Sequence, residues 1–283
     1  MRVANVGGRA KLLVADKRTV DVSTASGGRF GPGLPELYAN WCDFQDWARD
    51  FDVEKAAAGA AEPFAASIAG PPSPSPRQVF AVALNYRDHA AESGFKAPDS
   101  PLFFTKFLSA FSGPVTEVVL PDGNVDWECE MVAVIGKAAR RVSAADAWSH
   151  VAGVTVGQDL SERRLQRSGP APQYSLAKSY PGFAPTGPVL VTPDELDDPD
   201  DLAIGCEVND QVMQSARTSD MIFPVGALIE YLSSRLTLFP GDVVFTGTPP
   251  GVGMGRQPPV FLRTGDRLCS HIEGIGEMLQ TFV

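Results

Sequence analysis

The stretch Val125-Asp126-Trp127-Glu128-Cys129-Glu130-Met131-Val132-Ala133-Val134 carries the strongest local signal in the chain. It reads as a strand, and successive side chains of a strand point to opposite faces. Val125, Trp127, Cys129 and Met131 then face one way, and Asp126, Glu128 and Glu130 the other. Carboxylates at alternate positions repel one another on a strand that runs on into the apolar Met131 to Ile135. Two arrangements relieve the repulsion: a solvated edge face, or a cation seated between the side chains. A second apolar strand, Val151 to Gln158, ends on Asp159, where a carboxylate at the mouth of a sheet either completes a site or caps the next helix. Three carboxylates, with water or substrate in the remaining positions, suit a hard divalent cation such as Mg²⁺, Mn²⁺ or Ca²⁺. The lack of nearby His or Cys disfavours zinc.

Outward from this segment, the chain from Val79 onward is mostly strands broken by Gly, Pro and Asn-Asp turns. Helices are predicted near Ser143 to His150, where Ser143 and Asp146 resemble a capping box, and near Phe223 to Ser234, entered through Pro224 with Thr218 or Asp220 as its cap. Asn209-Asp210 reads as a hairpin turn between Ile204 to Val208 and Gln211 to Met213. Residues 1–62 read as a small β-rich N-terminal domain, with strands over Arg2 to Val6, Ala10 to Val14 and Thr19 to Val22 and a helical stretch over Asp43 to Ala58. Residues 63–77 hold Pro63, Pro71, Pro72, Pro74 and Pro76 and read as a linker or wrapping segment, ahead of a main domain over 78–283. The fold class expected is α+β, predominantly β.

Composition narrows the function. Of the 283 residues, 24 are Lys or Arg and 34 Asp or Glu, a net charge of −10 with no basic run, which argues against nucleic acid or an anionic membrane as partner. Cys42, Cys129, Cys206 and Cys269 lie far apart with no C-x-x-C pair, as expected of reduced thiols in a cytosol. The N-terminus has no apolar leader and no run approaches a membrane span, so the expectation is a soluble cytoplasmic protein. Gly251-Val252-Gly253-Met254-Gly255 lacks the third glycine of a dinucleotide fingerprint and follows Thr248-Pro249-Pro250. Walker A, G-x-S-x-G and H-E-x-x-H sequences are absent. A P-loop enzyme, a serine-nucleophile hydrolase and a zincin are therefore disfavoured.

There are three histidines. In Asn85-Tyr86-Arg87-Asp88-His89-Ala90-Ala91-Glu92, a helical turn places His89 and Glu92 on one face. They form either a surface ion pair or a proton-transfer pair, in which the carboxylate fixes the ring tautomer and the second ring nitrogen takes a proton from water. His150 and His271 read as structural.

Together these segments resemble the fumarylacetoacetate hydrolase superfamily. The marks are Asn85 to His89, Pro101 to Lys106, Glu128-Cys129-Glu130, Gln158-Asp159, Leu176-Ala177-Lys178-Ser179, Val208-Asn209-Asp210 and Thr246 to Gly253, spread over Val79 to Val283. The resemblance implies a mixed β-sandwich roll, usually homodimeric, with Glu128, Glu130 and Asp159 as metal ligands and His89 with Glu92 as a lid dyad. It also implies Lys178 as a catalytic cation and Arg163, Gln166, Thr248 and Lys106 in the substrate pocket. Asp88, a ligand in some members, is not needed where the short His-x-x-Glu dyad is present. Ser161-Glu162-Arg163-Arg164 departs from the usual Ala-Arg-Asp by putting the cation Arg164 where an acid is common. The implied activity is Mg²⁺- or Mn²⁺-dependent carbon-carbon hydrolysis of an acylpyruvate-type 2-oxo acid, a small molecule. The same enolate chemistry serves 2-hydroxyhepta-2,4-diene-1,7-dioate isomerase and oxaloacetate decarboxylase. A metal-stabilised binding module without turnover is the non-enzymatic reading.

Overall fold

The strands Cys129–Ile135 and Val151–Gln158 are buried along their whole lengths and pair antiparallel, with Cys129 opposite Gln158 and Val134 opposite Gly153. Near-continuous apolar runs of this kind mark strands covered on both faces. They form the middle of a 12-stranded sheet in the computed structural model, which describes residues 1–59, 61–92, 94–171 and 173–283. Val243–Phe245 pairs with Cys129–Ile135 on one side, followed by Val79–Ala83 and Leu102–Phe104. On the other side Ala184–Val191 pairs with Val151–Gln158, and Arg2–Val6 continues the sheet antiparallel to it, with Arg2 opposite Val191. Arg9–Ala15, Arg18–Asp21 and Glu62–Pro63 complete that edge.

A five-stranded sheet covers one face, in the order Gln211–Arg217, Ala203–Val208, Arg267–Ile272, Gly276–Phe282 and Val115–Val118. Side chains link the two sheets. The Cys129 thiol lies 3.3 Å from the Gly205 carbonyl, and the Gln158 amide donates to the Ser270 hydroxyl at 2.8 Å. The protein is thus α+β with β predominating, and its solved structural relatives share that fold.

Several local expectations change. The helical stretch over 43–58 is two helices, Trp41–Arg49 and Val53–Ala58, because the Asp52 carboxylate accepts the Lys55 N–H at 2.9 Å and starts a new helix. Residues 144–150 form a 3₁₀ helix, with the Ser143 hydroxyl accepting from the Asp146 N–H. The helix Val225–Arg235 begins after Pro224 with no side-chain cap, while Thr218–Asp220 forms a separate 3₁₀ turn in which Asp220 accepts the Arg217 N–H. The proline-rich segment is stitched to the core: Tyr38 donates to the Pro72 carbonyl and Ser73 to the Gly241 carbonyl.

Strand direction decides where chemistry collects. The start of Cys129–Ile135 lies beside the ends of Val151–Gln158 and Val243–Phe245, and Val79–Ala83 runs parallel to the latter. Glu128, Glu130, Leu84, Asp159 and Thr246 to Thr248 therefore emerge at one end of the sheet. Among the described residues no helix is long and apolar enough to cross a membrane.

Candidate active site

The acidic face of the quoted strand is not solvated. Glu128 is 6% exposed, Glu130 1% and Asp159 0%, and one carboxylate oxygen from each lies within 4.8 Å of the others. The strand breaks after Asp126, whose two-residue segment Val125–Asp126 pairs instead with Ser161–Glu162. At the break the Glu128 N–H has no ladder partner, and the Gln158 side-chain oxygen accepts it at 2.8 Å. Asp159 is anchored by its own N–H, which donates to the Glu128 carbonyl at 2.9 Å. The following helix is capped by Glu162 rather than Asp159: its carboxylate accepts from the N–H groups of Arg164 and Leu165.

Three buried cations face these acids. Lys178 Nζ donates to Glu128 Oε2 and Asp159 Oδ2, both at 2.6 Å. Arg163 reaches Glu128 Oε1 at 2.7 Å, donates through Nε to Asp126 Oδ2 at 2.9 Å, and donates through its other terminal nitrogen to Gln166 Oε1 at 2.9 Å. Lys106 donates to Asp159 and to the Lys178 carbonyl, behind the acids and wholly buried. Burial alone would raise the Glu128 pKa, but Lys178 and Arg163 outweigh it and hold the group well below the ordinary carboxylate range. Burial would lower Lys178, yet Asp159 and Glu128 keep it raised; for Lys106 burial wins and its pKa falls.

Glu130 is different. Its carboxylate accepts the Gly247 N–H at 2.7 Å, and among the described residues no Lys, Arg or His pairs with it. Burial first, then Asp159 and Glu128, push its pKa well above the ordinary value. A buried carboxylate short of positive charge, within an all-oxygen donor set, suits a hard divalent cation better than zinc. Asp88 is exposed and lies outside this group.

His89 and Glu92 lie on the short helix Arg87–Glu92, with Nδ1 of the ring 2.8 Å from Glu92 Oε1. His89 is 5% exposed, so the pair is not a surface ion pair. Glu92 also accepts the Gly251 N–H at 2.9 Å, which ties the helix to the loop after Thr248. Gly251 has φ +108°, and a Cβ there would lie 2.1 Å from the Met213 carbonyl oxygen. Only glycine presents its N–H in this way. Below the helix, the Asn85 amide donates to the carbonyls of Phe223 and Thr246 and accepts the Phe223 N–H, fixing the root of the segment.

These elements enclose a cavity of about 40 Å³ lined by His89, Glu128, Arg163, Gln166, Lys178 and Thr248 on its polar side. Of the residues expected in the substrate pocket, Arg163, Gln166 and Thr248 line it and Lys106 does not. The Thr248 hydroxyl donates to the Cys129 carbonyl and accepts from the Gln214 amide, so it shapes the wall with its polar capacity already committed. Strand periodicity marks Asp126 only as one of the acidic positions. Its carboxylate gathers the Arg163 guanidinium and the N–H groups of Trp127, Gly253 and Met254. Buried amides in apolar strands, Gln158 and Gln214, are the other members that strand periodicity alone does not single out.

The model of the fumarylacetoacetate hydrolase C-terminal family matches residues 78–283. The chain belongs to this family. It is 44% identical over 214 residues to a mitochondrial oxaloacetate tautomerase of Bos taurus, covering 75% of this chain and 68% of that protein. It is 46% identical over 206 residues to a 2,4-didehydro-3-deoxy-L-rhamnonate hydrolase of a Sphingomonas strain, covering 72% of each. Among solved structures, a protein of Mycobacterium smegmatis bearing the HpcE name superposes with a TM-score of 0.93 at 54% identity, over 100% of this chain and 99% of that one. A Sphingobium maleylpyruvate hydrolase, solved with manganese(II) and pyruvate, gives 0.81 at 30% identity over 100% and 99%. Relatives therefore act on small organic acids by hydrolysis or tautomerisation, and one of them holds a divalent metal.

Proposed function

We propose that the protein is a divalent-cation-dependent hydrolase that cleaves the carbon-carbon bond of an acylpyruvate-type 2-oxo acid. A cation held by Glu128, Glu130 and Asp159, with Mg²⁺ or Mn²⁺ favoured, would supply Lewis acidity to the 2-oxo group. Lys178, facing the cavity between Glu128 and Asp159, and Arg163 offer positive charge to the substrate carboxylate and to the negative charge that develops on cleavage. His89, with Nδ1 held by Glu92, has Nε2 free to take a proton from water. That water adds to the distal carbonyl. The bond from this carbonyl carbon to the methylene breaks, a carboxylic acid leaves, and the electron pair goes to the pyruvate enolate, which is protonated at carbon.

The observation that carries this reading is His89 in the cavity wall with Glu92 paired to its ring, since neither tautomerisation nor decarboxylation requires an activated water. The same pair argues against a binding module without turnover. A second reading, as oxaloacetate tautomerase or decarboxylase or 2-hydroxyhepta-2,4-diene-1,7-dioate isomerase, draws support from the tautomerase relative. The deciding experiment compares acetylpyruvate hydrolysis with oxaloacetate turnover in wild type, His89→Ala and Glu92→Gln at one saturating Mg²⁺ concentration. His89→Ala should lose roughly 10²- to 10⁴-fold in hydrolysis, the usual worth of a general base. Glu92→Gln should lose less, because the amide can still orient the ring. Undiminished hydrolysis in both variants would shift the assignment to the second reading.

A further inference from the structure

We propose that the acyl end of the substrate is uncharged and apolar, so that this site selects monocarboxylate 2-oxo acids over dicarboxylates. The inference rests on the 2-oxo acid reading above and specifies which acids the site accepts.

The first argument is the supply of positive charge. The cavity wall holds two cations, Arg163 and Lys178, both on the side of Glu128 and both already bonded to protein carboxylates. Arg163 donates through Nε to Asp126 and through one terminal nitrogen to Gln166, while the other terminal nitrogen lies 2.7 Å from Glu128 without an aligned hydrogen bond. What remains is enough for one carboxylate beside the cation site. The rest of the lining includes Val82, Leu84, Phe95 and Met254, none of them charged, while Phe104 carries the Lys178 ammonium 5.1 Å from its ring centre and packs on Tyr174. Arg167 touches the Met254 sulfur at 3.6 Å, but it is exposed and is not part of the lining. A second carboxylate placed there would lose its hydration without gaining a partner, whereas an alkyl group would gain contact.

The second argument is backbone strain. Leu84 has φ +57°, a left-handed conformation that is rare for a bulky residue. It directly follows Val79–Ala83 and precedes Asn85, whose three amide bonds pin the backbone in place. The fold thus holds a strained residue that lends an aliphatic side chain to the cavity.

The test uses two non-hydrolysable 2-oxo acids of matched shape, 5-methyl-2-oxohexanoate and 2-oxoglutarate, which differ in replacing the tail carboxylate by an isopropyl group. Each is titrated calorimetrically into the full-length protein loaded with Mn²⁺. The branched monocarboxylate should bind at least tenfold tighter. The Phe95→Arg variant, which adds a cation to a side chain that is 52% exposed at the wall, should cut that ratio at least threefold. Equal or tighter binding of 2-oxoglutarate to wild type overturns the inference while leaving the 2-oxo acid reading intact. An unchanged ratio in Phe95→Arg overturns the placement of the tail against this wall. If Mn²⁺ binds and neither acid does, the 2-oxo acid reading fails and the inference falls with it.

Discussion

Glu130→Gln separates the cation site from the rest of the buried charge cluster. In the wild type Glu130 is 1% exposed, takes one N–H bond from Gly247, and lies beside Asp159 and Glu128 without a cationic partner among the described residues. Glutamine keeps the side-chain oxygen for Gly247 and removes the uncompensated charge, so with a chelator present the variant should unfold at a temperature no lower than wild type. With Mn²⁺ the order should reverse. A ligand at a hundred times its Kd stabilises the native state by about 2.7 kcal/mol. At about 2–4 °C per kcal/mol for a domain of this size class, wild type should gain roughly 5–11 °C. The variant, with one of three anionic ligands neutralised, should gain little. Thermal unfolding followed by circular dichroism, with EDTA and with Mn²⁺, reads all four values. An equal Mn²⁺-induced rise in both proteins would refute the assignment of Glu130 as a ligand. A variant several degrees less stable in EDTA would refute the view that its charge is uncompensated.

Three further outcomes follow from the same geometry. Lys178→Met should lower kcat/KM by about 10²- to 10³-fold, while Mn²⁺ affinity measured by calorimetry falls no more than a few-fold; normal turnover would remove Lys178 from the site. Asp126→Asn leaves Arg163 without one of its two buried carboxylates, a loss of about 3–5 kcal/mol that should appear as a fall of roughly 6–20 °C in Tm, and a fall under about 3 °C would deny Asp126 its anchoring role. The Arg9 guanidinium, 2.6 Å from Asp21, holds the Asp21 pKa well below the ordinary carboxylate range. A depressed folded pKa contributes stability above the ordinary carboxylate pKa and loses it as pH falls. Because Arg9 is 45% exposed, Asp21→Asn should cost only about 0.5–1 kcal/mol at pH 7 and less as pH falls below the ordinary carboxylate value toward the depressed one, checked by denaturant midpoints at neutral and acid pH.

What the sequence made legible follows from periodicity. Glu128 and Glu130 could be placed on one face because strand side chains alternate, and Asp159 could be placed at the mouth of a sheet because it ends an apolar run, while its grouping with the two glutamates rested on the family resemblance. The i, i+3 spacing brought His89 to Glu92 for a similar reason. The contacts that orient these residues are long-range and have no periodic signature. Gln158 serves Glu128 from 30 residues away, Glu92 receives the Gly251 N–H from 159 away, and Asp126 accepts that of Gly253 from 127 away. The position of Asp126 on the acidic face was readable, but its part in holding Arg163 and the 253–254 loop depends on how the chain returns. Local propensity misplaced the cap of the helix Val225–Arg235 because Thr218 and Asp220 bond within their own turn. It merges the two N-terminal helices because Asp52, a capping residue by type, also fits an ordinary helical position.

The distribution of charge explains why Glu130, and not Asp159, is the informative position. Four buried carboxylates, Asp126, Glu128, Glu130 and Asp159, meet three buried cations, Lys106, Arg163 and Lys178. Asp126 shares Arg163 with Glu128, and Asp159 is held by both lysines. Removing Asp159 would leave Lys106 without a carboxylate and Lys178 with Glu128 alone, and destabilise the fold whatever it does to a cation, because breaking a buried pair leaves an uncompensated charge. Lys106, which does not line the cavity, holds Asp159 from behind, while Lys178 faces the cavity. Only Glu130 has no such internal partner among the described residues. Its substitution therefore tests the cation alone, whereas loss of activity on changing Asp159 would not separate a lost ligand from a collapsed charge cluster.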